Sequence, residues 1–144
     1  MKTTYLDVTQ EQGKAFFMRQ IKGPVVMLNL LKYKDIADYS TVPDIAPYRT
    51  ISGAEAYQLY IDHTLPFLKE AGSEVLFWGK GGDFVIGPTD EHWDAVMLVK
   101  HASVERFMAF AQDPEYLKGA GHRTAALADS RLLPIEQLSE LKTQ

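Results

Sequence analysis

Three stretches of this chain read as strands that are apolar on both faces, and the chain has too few helices to cover both sides of the sheet they would build. They are Val25-Val26-Met27-Leu28-Asn29-Leu30-Leu31, Val75-Leu76-Phe77-Trp78 and Ala95-Val96-Met97-Leu98-Val99. A half-solvated antiparallel strand alternates apolar and polar residues. These runs do not, so both sides of the sheet are expected to be buried. A two-layer fold whose bare sheet face is covered by a second copy of the chain meets that demand. No catalytic signature stands out, so the pattern bears on shape before it bears on function.

Helices separate the strands. Thr9-Gln10-Glu11-Gln12 has the form of a capping box and opens a helix over 9–21, with Phe16, Phe17 and Ile21 as its stripe and Gly23-Pro24 as its stop. Ser52-Gly53-Ala54-Glu55 opens a second helix, from Gly53 to Ala71, with Tyr57, Tyr60, Ile61, Thr64 and Leu68 on one face and Gly72 as C-terminal cap. Pro66 cannot donate to the carbonyl of Asp62, which predicts a kink near Asp62 and His63. Strands are expected at 74–80, with 83–86 continuing the pairing, and at 94–101. The parity of the first places Trp78 with Leu76 and Lys80. Ser103 caps a helix carrying Val104, Phe107, Met108 and Ala111, and Asp113-Pro114-Glu115 restarts one that Gly119 and Gly121 loosen. A helical turn at 124–128, a short strand at 131–133 and a loosely docked helix over 134–144 complete the chain. Residues 35–51 hold two prolines and no period; a loop this long is a lid, a dimer clasp or a surface decoration.

The order predicts a single α+β domain: a ferredoxin-like βαββαβ unit with an antiparallel sheet, an extra N-terminal helix and a core at 25–133. Both helices cover one face of that sheet. The other face would expose half of every apolar run, more than a monomer leaves open, so a two-fold homodimer joined sheet to sheet is expected.

Composition narrows the partners. A chain of 144 residues with 46% hydrophobic content can bury a full core. Cysteine is absent, which removes disulfides and thiolate chemistry and agrees with a reducing cytoplasm. The first seven residues lack the apolar core of a signal peptide, and no apolar run is long enough to span a bilayer, so no membrane is expected. Net charge is −4, with fifteen basic residues scattered among nineteen acidic ones; nucleic-acid binders carry a basic stripe, and none is present. The histidines at 63, 92, 101 and 122 lack metal-site spacing, so neither a metal nor a cofactor is expected, although one histidine would suffice for a haem. Lys80-Gly81-Gly82 lacks the rest of a phosphate loop and fits a hairpin better.

Several stretches resemble a known family: "VVMLNLLKYK", "SGAEAYQLYIDHTLPFLKEAG", "WDAVMLVKHASVERF", "DPEYLKGAGHR" and "ALADSRLL", over about residues 25 to 133. The chain is similar to the domain-of-unknown-function family 1330 within the dimeric α/β-barrel superfamily. The resemblance implies the ferredoxin-like fold and dimerisation, and no reaction. Superfamily relatives include cofactor-free monooxygenases, isomerases, haem enzymes and stress proteins.

The expected site is a small, mostly apolar cleft between the sheet and helix 53–71, lined by Asn29, Tyr57, Tyr60, His63 and Trp78. Arg123 is a candidate anion partner, although pairing with Glu115 or bridging elements of the fold is the plainer role for it; Arg49 is a weaker anion clamp. As an enzyme, the protein would be a cofactor-independent oxygenase or isomerase acting on a small aromatic or carbonyl compound. His63 would be the base, and Asn29 would steady an enolate-like oxygen. The alternatives are a non-catalytic ligand-binding or stress-related dimer using the same cleft, and a structural dimer whose polar groups satisfy one another.

Overall fold

The computed structural model describes residues 3–138. Thr9 Oγ1 accepts from the Gln12 amide at 3.1 Å and opens α1 (Gln10–Met18). The helix ends at Met18 rather than Ile21, because the chain turns with Gln20 at φ 52° and Gly23 at φ 77°. Ile21 is nonetheless buried, against Val25, Met27 and Val104. After β1 (Val25–Tyr33) comes the long connection. It contains one short 3-10 turn (Pro43–Ile45) and is strapped down by Ala37 N–H to Ile51 O and Asp38 N–H to Ala125 O, both 2.9 Å.

Ser52 and Glu55 cap α2 (Gly53–Glu70) reciprocally, each side chain accepting from the other's amide at 3.0 Å. At the far end Gly72 adopts φ 77°, its N–H donates to Lys69 O at 3.0 Å, and Ser73 N–H donates to Leu68 O at 2.8 Å. These are the paired bonds of a Schellman motif. The helix continues past Pro66 to Glu70.

The remaining elements are β2 (Glu74–Asp83), β3 (His92–His101), α3 (Val104–Ala111), α4 (Pro114–Leu117), α5 (Ala120–Ala126) and β4 (Leu127–Ile135). Four expectations are corrected here. Phe84, Val85 and Ile86 lie exposed in the β2–β3 hairpin loop and do not extend the pairing. Gly119 and Gly121 serve α5 rather than loosening α4. Gly119 is its N-cap, and a Cβ on Gly121 would stand 2.7 Å from Ile45 and 3.0 Å from Val42. The last strand is far longer than 131–133. Pro134 lies inside it, paired with Met27, rather than starting a helix. Proline is tolerated there because β4 is an edge strand, where a missing N–H need not break the ladder. The rest of the expected tail helix, 139–144, is outside the described residues.

The sheet runs β2-β3-β1-β4, antiparallel throughout, with the helices on one side. This is the expected α+β, ferredoxin-like arrangement. Val25, Met27 and Leu31 of β1 and Trp93, Ala95, Met97, Val99 and His101 of β3 are buried. The opposite parity forms the bare face. One row crosses all four strands, Phe77–Leu98–Leu28–Leu133, and its outer members Phe77 and Leu133 are each 56% exposed. The apolar character read from the three runs therefore lies open on this chain.

His101 closes the far end of the core. It is 2% exposed, its Nδ1 is 2.8 Å from Ser73 Oγ, and Phe107 and Phe110 flank the ring. Burial holds its imidazole down to about 4. The unfolded chain therefore takes up a proton on this residue below about pH 6.5, and the native state refuses it until about pH 4. The stabilisation is complete above pH 6.5 and is lost as the pH falls through that window, by an amount on the order of 2–3 kcal/mol. Urea titrations at pH 7.5 and 4.5 are expected to show this loss in the wild type. The loss should be smaller in His101→Gln, which has nothing to protonate.

Candidate functional site

The parity of β1 places Tyr33 in phase with Leu31, facing α2. The spacing of α2 brings Tyr57 and Tyr60 onto the same core, and α4 adds Tyr116. A β-bulge between Val75 and Phe77 then changes the strand parity of β2, so Trp78 pairs with Met97 and shares its side with Val75 and not with Leu76. Trp78 consequently stacks on Tyr57, with ring centroids 6.0 Å apart and planes at 16°. Tyr57 is 1% exposed and Trp78 44% exposed, so one ring is core and the other its lid toward water. Tyr33 and Tyr60 pack against Tyr57 at 5.8 and 5.2 Å.

The phenols differ in how they are satisfied. The Tyr60 and Tyr116 hydroxyls share a hydrogen bond of 2.8 Å. The Tyr57 hydroxyl makes none with the described residues. Burial pushes both Tyr57 and Tyr60 upward, and the Arg123 charge pulls each back. Tyr33 is pushed up to about 12 by burial and then by Asp94. Asp94 is itself engaged, through Oδ2 with the Tyr33 amide at 2.7 Å and through Oδ1 with His92 at 2.8 Å. Thr64, 4% exposed on the same helix face, has an Oγ1 sealed without a partner.

Arg123 comes from α5, which packs along α2. The expected pair with Glu115 is not formed: Glu115 Oε2 holds Lys118 at 2.9 Å. Arg123 fills the other expected role and bridges elements, donating from Nη1 to Leu6 O at 2.7 Å and from Nη2 to Ser130 Oγ on β4 at 3.3 Å. Arg49 pairs with Glu55 at 3.4 Å, away from the tyrosines.

The two residues expected to do chemistry stand apart from this group. His63 faces α4, where its Nε2 lies 2.9 Å from Glu115 O and 3.1 Å from Tyr116 O. Carbonyls only accept, so Nε2 carries the proton and Nδ1 is left as the acceptor. The ring N–H thus reaches across to α4. Gly119 makes room for the ring, since a Cβ there would stand 2.2 Å from it. Asn29 faces the helices, but its Nδ2 donates to Met97 O at 3.3 Å and Met27 O at 3.4 Å, within the sheet. The structure therefore gathers Tyr57, Tyr60 and Trp78, ties Arg123 to Leu6 and Ser130, and sets His63 and Asn29 on separate tethers. It adds Tyr33, which strand parity alone would have included. It also adds the Tyr39 hydroxyl on His122 Nδ1 at 2.7 Å, a contact between loop and helix that no local pattern announces.

Two open depressions lie elsewhere. One, of about 270 Å³, sits within the long connection beside Tyr48 and Arg49. The other, of about 360 Å³, is lined by Lys32, His92, Trp93 and Arg131, with the Arg131 guanidinium between the Tyr5 and Trp93 rings. Among the described residues no group of three or more acidic or histidine side chains is placed to hold a metal ion. No helix among them is long and apolar enough to cross a membrane.

The crystal structure of a protein of unknown function from Rhodopseudomonas palustris is 34% identical to this chain, covers 96% of it and 100% of its own chain, and superposes with a TM-score of 0.84. A methylated form of that protein gives 35% identity, coverage of 98% and 100%, and a TM-score of 0.86. A dimeric protein of unknown function with a ferredoxin-like fold from Bacteroides fragilis is 10% identical, with coverage of 79% and 96% and a TM-score of 0.50, a likeness of fold alone. No curated protein matches the chain. The model of the domain of unknown function DUF1330 matches residues 45–137, from the 3-10 turn to just past the last strand, and the chain belongs to that family.

Proposed function

We propose that this protein is a homodimer that binds a small aromatic molecule at the tyrosine cluster capped by Trp78. The observation that carries the reading is the pairing of a buried Tyr57 ring, in a cluster with Tyr33 and Tyr60, with a half-exposed tryptophan stacked on it. Trp78 stands on edge strand β2, where its side chain can turn outward without disturbing a neighbouring strand.

The dimer follows from the bare face. The row from Phe77 to Leu133 spans four strands, about 14 Å at ~4.8 Å per step, and further apolar residues flank it at Val26, Leu30 and Val96. A patch of that kind is covered in stable proteins. Packing one sheet on another about its two-fold axis covers both copies at once. The Bacteroides fragilis protein of like fold is described as dimeric.

Native mass spectrometry of gently purified protein tests both parts. A species of twice the chain mass is expected, with added small-molecule mass that Tyr57→Ala sheds. Replacing Leu28 and Leu98 together by lysine is expected to leave monomer. A wild-type monomer would overturn the dimer, and a dimer that neither retains nor takes up aromatic compounds at millimolar concentration would overturn the binding reading.

A further inference from the structure

We infer that the tip of the β2–β3 hairpin, Phe84-Val85-Ile86, is an arm that packs on a second copy of this chain and completes the contact begun by the bare sheet face. The inference rests on the dimer proposed above and extends it to a surface outside the sheet. Val85 is fully exposed, Ile86 almost fully and Phe84 by 40%, the most exposed run of consecutive apolar side chains among the described residues. The loop is shaped to present them. The Phe84 ring folds over Gly87, where a Cβ would stand 2.7 Å from the ring's Cγ, so Phe84 anchors the turn while Val85 and Ile86 stand in water. At the base of the loop His92 on β3 ties the two strands, its Nδ1 3.2 Å from Oδ1 of Asp83, its register partner on β2.

The bare face alone is small for a stable dimer. Its apolar rows run from Val26 to Leu30 along β1 and cross four strands. Five residues at ~3.4 Å and four strands at ~4.8 Å give a footprint of roughly 300 Å². Specific interfaces clear about 500 Å² on each partner. The tip side chains, on the order of 100 Å² apiece, close that gap. The tip also continues the β2–β3 ribbon that carries Phe77, Val96 and Leu98 of the bare face, so a copy seated on that face lies next to the arm. The charge around the tip opposes the other common fate of an apolar loop, insertion into a membrane. Asp83, Asp90 and Glu91 flank it, and no lysine or arginine lies between Lys80 and Lys100. An anionic lipid surface repels such a segment.

The chain has no cysteine, so Val85→Cys carries a single thiol for a fluorescent label. Iodide quenching of the label is read on the full chain while analytical ultracentrifugation gives the subunit count at the same concentration. Quenching is expected to fall severalfold in the dimer relative to the same label in the monomeric Leu28→Lys, Leu98→Lys background. Replacing Val85 and Ile86 together by aspartate is expected to raise the dimer dissociation constant about tenfold or more. Far-UV circular dichroism should not change, because neither side chain is packed within its own chain. A dimer that leaves the label as open to iodide as in the monomer, or whose dissociation constant the two aspartates do not change, would overturn the arm and leave the sheet-to-sheet dimer standing. A wild-type chain that stays monomeric at every concentration would overturn the dimer and the arm with it. A label shielded by phosphatidylcholine vesicles and not by dimer formation would overturn the second copy as the occupant.

Discussion

Gly53→Ala is expected to cost about 3 kcal/mol or more of folding stability, although glycine to alanine inside a helix ordinarily gains about 1 kcal/mol. Gly53 is the first residue of α2 and is buried where three main-chain segments meet. Its N–H donates to Lys34 O at 3.0 Å. A Cβ at this position would stand 2.1 Å from Lys34 O, 2.7 Å from Ala126 O and 2.8 Å from Lys34 N. All three are backbone atoms, so no side chain can swing away. The start of α2 would have to withdraw from the end of β1 and from α5. That would break the Gly53 bond and loosen the Ser52–Glu55 cap behind it. Gly13→Ala is the control: it lies inside α1, and its Cβ would meet only the Val8 side chain, at 3.3 Å. Urea denaturation should show the two substitutions moving in opposite directions, and a neutral Gly53→Ala would show that the contact between α2 and the loop is not close-packed in solution.

Tyr57→Ala is expected to cost about 3–5 kcal/mol, a large share of the 5–15 kcal/mol that typical domains have. The ring is sealed and touches Tyr33, Tyr60 and Trp78, so its removal leaves a cavity bounded by other large rings that cannot collapse into it. Tyr57→Phe keeps the ring and removes only a hydroxyl with no partner among the described residues, and is expected to change stability by less than about 1 kcal/mol. The two substitutions separate packing from polar function at one position. A Tyr57→Phe variant as unstable as Tyr57→Ala would mean that the hydroxyl is held by a partner.

The local features were legible because they are settled within a few residues. Thr9, Ser52, Ser103 and Asp113 all cap helices through side-chain oxygens, and Gly72 takes the left-handed turn that ends α2. The antiparallel α+β layout followed from the order of the periods, and the apolar open face followed from strands that do not alternate. The Tyr57 and Tyr60 stripe was likewise a matter of helical spacing.

Side-chain pairing across the fold was not legible. Trp78 looked in phase with Leu76, and only the bulge at Val75–Phe77 turns it onto Tyr57. That bulge depends on which register lets both Val75 and Trp78 face the helices, a choice made by β3 and α2 rather than by β2. Arg123 looked like a partner for Glu115, eight residues away, but the short helices α4 and α5 point the two in different directions. His63 bridges to α4 in the room that Gly119 leaves, a contact no spacing along α2 announces. The length of β4 was hidden by Pro134, which reads as a strand breaker until the edge position is known.

The sequence by itself determined the layers, the caps and the bare apolar face, because spacing along one chain dictates which residues share a side. Only the tertiary structure decided that Tyr57 is sealed beneath Trp78 and that Arg123 lacks an acid. Those facts depend on distances between segments far apart in the chain, and a one-dimensional pattern holds no information about which of many compatible partners close packing selects.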